Sequence, residues 1–136
     1  MDASVVLAWC FPDEDSALAQ RVAEMFKQGH TAMAPAFWPH EVLNALLAGE
    51  KHKRISAALA QSFLNDLGAL PIELEQFPAT TVFDRIRALG RQYGLTAYDA
   101  AYLDLSLNSG VPLATLDEDL SRACRKAGAG LVGSTI

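Results

Sequence analysis

Four acidic residues occupy settings suited to metal-ion chemistry: Asp2 in MDASVV, Glu41 in WPHEVLNAL, Asp99 in LTAYDAAYL and Asp117 in LATLDEDL. Each falls where a strand hands over to a helix, or among apolar residues on a helix. An ionised carboxylate there is costly unless it holds a cation or takes part in a reaction. Carboxylates that converge make a hard-oxygen site of the kind Mg²⁺ or Mn²⁺ prefers. Asp99 carries the most weight. On a helix over 96–108, turning about 100° per residue, it shares a stripe with Leu95, Tyr102, Leu103 and Ser106. Asp104, Asn108, Ala97 and Ala101 face roughly the other way, so Asp104 is expected on the polar or small-residue face. A buried Asp paired with an arginine would explain Asp99 as well.

Bland readings also exist for the other three. Asp117 starts a helix, and Thr115 with Glu118 spells a T-x-x-E capping box. Asp119 shares that ambiguity with less positional support. Glu41 lies in a first helical turn on a stripe with Asn44, Ala45 and Ala48, which suits either an acid reaching into a cleft or a solvated face. Asp2 alone could be a helix N-terminal acid. The case rests on all four occurring at element ends.

The elements that must position them alternate along the chain. Helices are expected over 4–11 (Ser4 as N-cap, broken at Pro12 and Asp13), 15–28, 39–53, 56–68, 79–93, 96–108 and 117–127. Strands are expected over 31–34, 72–74, 112–115 and 131–132. This alternation predicts an α/β domain, three-layer α/β/α with a central, mostly parallel sheet. The 136 residues predict a single domain, and about half are apolar, enough for one core. The longest apolar stretches are too short to span a bilayer, and no basic leader precedes VVLAWCF. The chain reads as soluble and cytoplasmic, with Cys10 and Cys124 as thiols rather than zinc ligands.

The net charge is −5, eleven basic residues against sixteen acidic. If four acids are counted with a cation, the balance is eleven against twelve, or −1, so acidity does not exclude a nucleic-acid substrate. The run Lys51-His52-Lys53-Arg54 could touch phosphates, but cations at a helix C-terminus are expected from the dipole. His30, His40 and His52 have no metal-ligand spacing. Ser4 lacks a G-x-S-x-G setting, which makes a cap or a supporting hydrogen bond its expected role. Trp9, Trp38, Tyr98 and Tyr102 read as core or groove aromatics, and no glycine-rich phosphate loop is present.

Taken together, DASVVLAWCFPDE, PHEVLNAL and ALGRQYGLTAYDAAYLDLSLNSGVPLATLDEDLSRACRKAG resemble a PIN domain, and specifically a VapC-type toxin ribonuclease. The resemblance covers nearly the whole chain, and Y-G-L-T-A-Y-D-A followed by L-A-T-L-D is its most specific part. It implies a divalent-metal site for RNA phosphodiester cleavage made by Asp2, Glu41, Asp99 and Asp117, supported by Ser4 and Thr115. It also implies Mg²⁺ or Mn²⁺ as cofactor, an RNA substrate gripped by basic residues such as Arg85, Arg91, Lys51 and Lys53, a homodimer, and a small antitoxin protein as partner. Such proteins carry apolar residues ahead of the first Asp; only Met1 stands there, so the central strand is expected to be cut short and Asp2 poorly held. Two other classes fit less of the sequence. One is a non-catalytic binding module on the same fold that acts through a protein or RNA partner; the other is a metal-dependent phosphatase, which the lack of a D-x-D pair argues against.

Overall fold

The computed structural model describes residues 1–11 and 16–133. The break expected at Pro12 and Asp13, and the first residue of the helix expected over 15–28, lie outside them. Two parallel strands, β1 (Ala32–Pro35) and β2 (Ile72–Glu75), pair in register from Ala32↔Ile72 to Pro35↔Glu75. Parallel neighbours need a crossover, and α3 (Trp38–Lys51) and α4 (Ala57–Gly68) supply it.

The ladder sends the N–H groups of Ala32 and Ala36 to Pro71 O (3.1 Å) and Glu75 O (2.8 Å). The peptide groups of Met33 therefore face the opposite edge. There the Met1 ammonium donates to Met33 O at 2.9 Å. Asp2 N–H donates to Ala114 O at 3.0 Å. Leu113 continues the layer, with its N–H on Gly130 O and its carbonyl accepting from Val132, both at 2.9 Å. Across the layer the order is β2, β1, Met1–Asp2, 112–115, 130–132. The strands expected over 112–115 and 131–132 reduce to one parallel bridge, Leu113↔Leu131. Pro112 has no N–H to give, and glycines flank Leu131 and Val132, so a longer ladder is disfavoured. Burial lowers the pKa of the Met1 ammonium to about 6, partly offset by Asp2.

Helices cover both faces. On one, α2 (Ala17–Lys27) lays Val22, Met25 and Phe26 beside Met33 and Ala114. On the other, α7 (Ala97–Ser109) lays Tyr102, Leu105 and Ser106 beside Met33 and Leu113. The result is the expected three-layer α/β/α arrangement. Among the described residues no helix is long and apolar enough to cross a membrane.

The helical run expected over 79–93 is continuous but not uniform. It passes from α5 (Ala79–Thr81) through a π-helical stretch (Val82–Ile86) to α6 (Arg87–Tyr93), and Gly94 in the left-handed region (φ 66°) ends it. The π stretch packs on α7 and delivers Arg85 to Asp104: Nε to Oδ1 is 2.6 Å and Nη2 to Oδ2 is 3.0 Å. Asn108 Nδ2 adds a donor at 2.9 Å. Asp104 is only 1% exposed, contrary to the expected polar face. An arginine from another element makes that burial tolerable, and a single-helix wheel cannot show it. Arg85 is thus committed to Asp104 rather than to a substrate.

At the C-terminal end of α3, Gly49 permits close contact. A Cβ there would lie 2.9 Å from both Cε1 and Cζ of Phe11 and 3.2 Å from Ile55 Cγ2. Phe11 is buried and cannot swing away freely. Gly49→Ala is therefore expected to destabilise the protein by about 1–2 kcal/mol, the overpacking cost exceeding the gain in helix propensity. Thermal unfolding checks this; an unchanged midpoint would mean that the Phe11 ring yields.

Candidate active site

Four elements bring acids to the carboxyl edge of the parallel layer: α1 (Ala3–Cys10), α3, α7 and α8 (Glu118–Ala127). Asp2 precedes α1 and is its N-cap, correcting the expectation that Ser4 would be. Its Oδ1 accepts from the Ser4 N–H at 2.9 Å and from the Ser4 hydroxyl; its Oδ2 accepts from the Thr115 hydroxyl. Ser4 Oγ in turn accepts from Leu116 N–H (3.0 Å), and Thr115 Oγ1 accepts from Asp117 N–H (3.0 Å). The two hydroxyls tie the start of the chain to the 115–117 segment. Asp2 is buried and held by three donors, so the poor anchoring expected from the sequence does not occur. Burial raises its pKa, and the bonds from Ser4 and Thr115 oppose that rise.

Asp117 caps α8 itself, its Oδ1 accepting from Leu120 N–H at 2.8 Å. The T-x-x-E box expected from Thr115 and Glu118 does not form, because Thr115 bonds two residues ahead and to Asp2. Glu41 is half-buried in the first turn of α3, and its Oε1 accepts from the Tyr102 hydroxyl. Burial raises the Glu41 pKa, the Tyr102 bond opposes it, and Asp2 adds to it. Phe37 packs edge-on to Tyr102 with ring centroids 5.7 Å apart, fixing the phenol that orients Glu41.

Asp99 opens α7, where its N–H donates to Thr96 Oγ1 at 3.1 Å. Its carboxyl is pushed up to about 6, first by burial and then by the charges of Asp117, Asp2, Glu41 and Asp119. The four sequence-selected acids, with Asp119 beside them, thus act on one another. Among the described residues no group of three Asp, Glu, His or Cys side chains closes into a ready cation cage. The donor set itself fits a hard divalent cation: carboxylate oxygens whose mutual repulsion a cation would relieve.

A PIN-domain family model matches residues 1–126. The chain belongs to the PIN-domain family. Ribonuclease VapC3 of Pyrobaculum aerophilum is 31% identical to this PIN domain over 121 residues, covering 89% of the chain and 90% of the relative. The crystal structure of PAE2754 from the same organism superposes with a TM-score of 0.63 at 26% identity, covering 90% of this chain and 82% of that one. The family match and the VapC3 relative agree with the resemblance read from the sequence.

Two further residues act on the acid cluster without a strong sequence signal. Tyr102 read as a core or groove aromatic, yet its hydroxyl holds Glu41. Its signal was the spacing of three from Asp99, which puts both on one helical face. Asp119 was set below Asp117, but its charge reaches Asp99. Among the basic candidates, Arg54 lies 4.3 Å over the Phe11 ring, and Lys51 lies in the last turn of α3.

Proposed function

We propose that this PIN domain is a divalent-metal-dependent endoribonuclease, the toxin of a toxin–antitoxin pair. In this reading Asp2, Glu41, Asp99 and Asp117 form the catalytic metal site, using Mg²⁺ or Mn²⁺. The observation that carries it is the geometry: the Thr115 hydroxyl bridges Asp2 and the Asp117 backbone, and the Tyr102 hydroxyl, one helical turn from Asp99, holds Glu41. The name of the VapC3 relative supports ribonuclease chemistry and the toxin role.

A bound divalent cation supplies Lewis acidity toward water and positive charge toward the phosphodiester. The chain's own groups do the rest. Ser4 and Thr115 occupy both oxygens of Asp2 and fix its direction. Tyr102 holds Glu41 by one oxygen. Asp117 spends one oxygen on its helix cap, which fixes the backbone next to Asp2. Without a cation the acids repel phosphate, so cleavage requires the metal. A homodimer and a small antitoxin protein complete the reading.

The test incubates purified protein with single-stranded RNA in Mn²⁺, in Mg²⁺ and in chelator. Cleavage with either ion and none in chelator is expected; metal-independent cleavage, or none under any condition, overturns the reading. One observation favours a second reading, a non-catalytic RNA-binding module: no cation cage is preformed among the described residues. RNA binding that ignores metal, without turnover, would select it.

A further inference from the structure

Next to the acid cluster, α6 and α8 enclose a cavity of about 440 Å³ lined by Gln92, Tyr93, Asp119, Arg122 and Lys126. Asp119, Arg122 and Lys126 are spaced by three and four residues and so form one stripe along α8, the helix that Asp117 caps. At 1.5 Å rise per residue, Arg122 lies about 7 Å and Lys126 about 13 Å along the axis from Asp117. On this stripe the cations follow Asp119, roughly one helical turn apart.

We infer that this cavity is a substrate subsite, in which Arg122 and Lys126 bind successive backbone phosphates of single-stranded RNA beside the scissile one. The inference rests on the ribonuclease reading above and adds to it the path that the strand takes. Arg122 now donates to Asp119 at 2.9 Å, but both side chains are largely exposed (59% and 80%). Such a pair is worth little, and a phosphate can accept the same guanidinium through two bonds. Lys126 has no ion pair among the described residues and remains a point charge for a phosphate. Gln92 adds an amide donor. A cationic groove that tracks the backbone is the usual grip on a single strand.

Arg21 and Arg125 provide an equal-charge comparison, because they line a different cavity with Ser121 and Thr115. Binding of fluorescent single-stranded RNA is measured over a salt series in the Asp99→Asn background, with Arg122→Gln/Lys126→Gln or Arg21→Gln/Arg125→Gln added. Loss of two single-strand phosphate contacts should reduce the slope of log K against log salt by about 1.4 for the first pair only. With Asp99 restored, the first pair should raise KM about tenfold and leave kcat within about twofold, since the lost contacts position substrate without touching the reacting atoms. All four side chains lie in exposed positions, and circular dichroism confirms that the variants fold. An unchanged slope, or an equal fall in both pairs, overturns the subsite while metal-dependent cleavage still stands. The selective slope change without cleavage by the wild type overturns the ribonuclease reading and keeps the RNA path. No RNA binding at all overturns both.

Discussion

Asp99→Asn is expected to reduce metal-dependent RNA cleavage on the order of 10²-fold or more, because it removes one of the carboxylates that would hold the cation. Mn²⁺ binding by calorimetry should fall with it. The metal-free protein should respond in the opposite sense. The Asp99 carboxyl sits at about 6, above its unfolded value. Between those pH values the folded chain binds a proton that the unfolded chain does not. This contribution to stability is present at low pH and is lost as pH rises through about 6. Asp2 and Glu41 shift in the same direction. The Met1 ammonium, lowered to about 6, favours folding as pH rises and so works against them. Comparing variant with wild type cancels Met1. At neutral pH, ionised Asp99 costs about 1 kcal/mol once its half-exposure is discounted, so the variant without metal should melt about 4 °C higher. Metal affinity of the wild type should weaken as pH falls through about 6. Equal Mn²⁺ binding by both proteins would show that Asp99 is not a ligand.

Thr115→Val should give the largest loss of stability among the site variants, about 2–3 kcal/mol. The change keeps the shape and deletes a buried hydroxyl that donates to Asp2 and accepts from Asp117 N–H. Asp2 is then a buried carboxylate one donor short, and a backbone amide loses its acceptor. Cleavage should drop about 10- to 100-fold as Asp2 loses its orientation. Thr115→Ser restores the hydroxyl and should recover most of both losses. Denaturant unfolding alongside cleavage assays tests this; a valine variant as stable as the wild type would mean that the hydroxyl bridge contributes nothing.

What was legible in the sequence follows the range of each interaction. Asp99 stands out through its immediate neighbours, Asp117 taken alone reads as a helix start, and the alternation of helix and strand signals suffices for the layered fold. Asp104 was placed on the wrong face because its partner, Arg85, comes from another element through a π-helical stretch. Tyr102 and Glu41 are 61 positions apart and Thr115 and Asp2 are 113 apart, so neither bond leaves a local trace. The Asp2 and Ser4 roles at the first cap were exchanged for a smaller reason. Both residue types cap helices well, and only the extended backbone at Asp2 (φ −83°, ψ 169°) decides between them.

The placing of Met1 has a practical consequence. Its nitrogen lies inside the sheet, bonded to Met33 O, with an apolar space of about 310 Å³ between it and α2. Anything fused to that nitrogen must leave as an extended ribbon between β1 and the 112–115 segment, or lever Met1 out and move the adjacent Asp2. A purification handle at the amino end is therefore not an inert addition. Depending on the first few residues of its linker, it would either complete the ladder and stiffen the site or dislodge Asp2 and silence it.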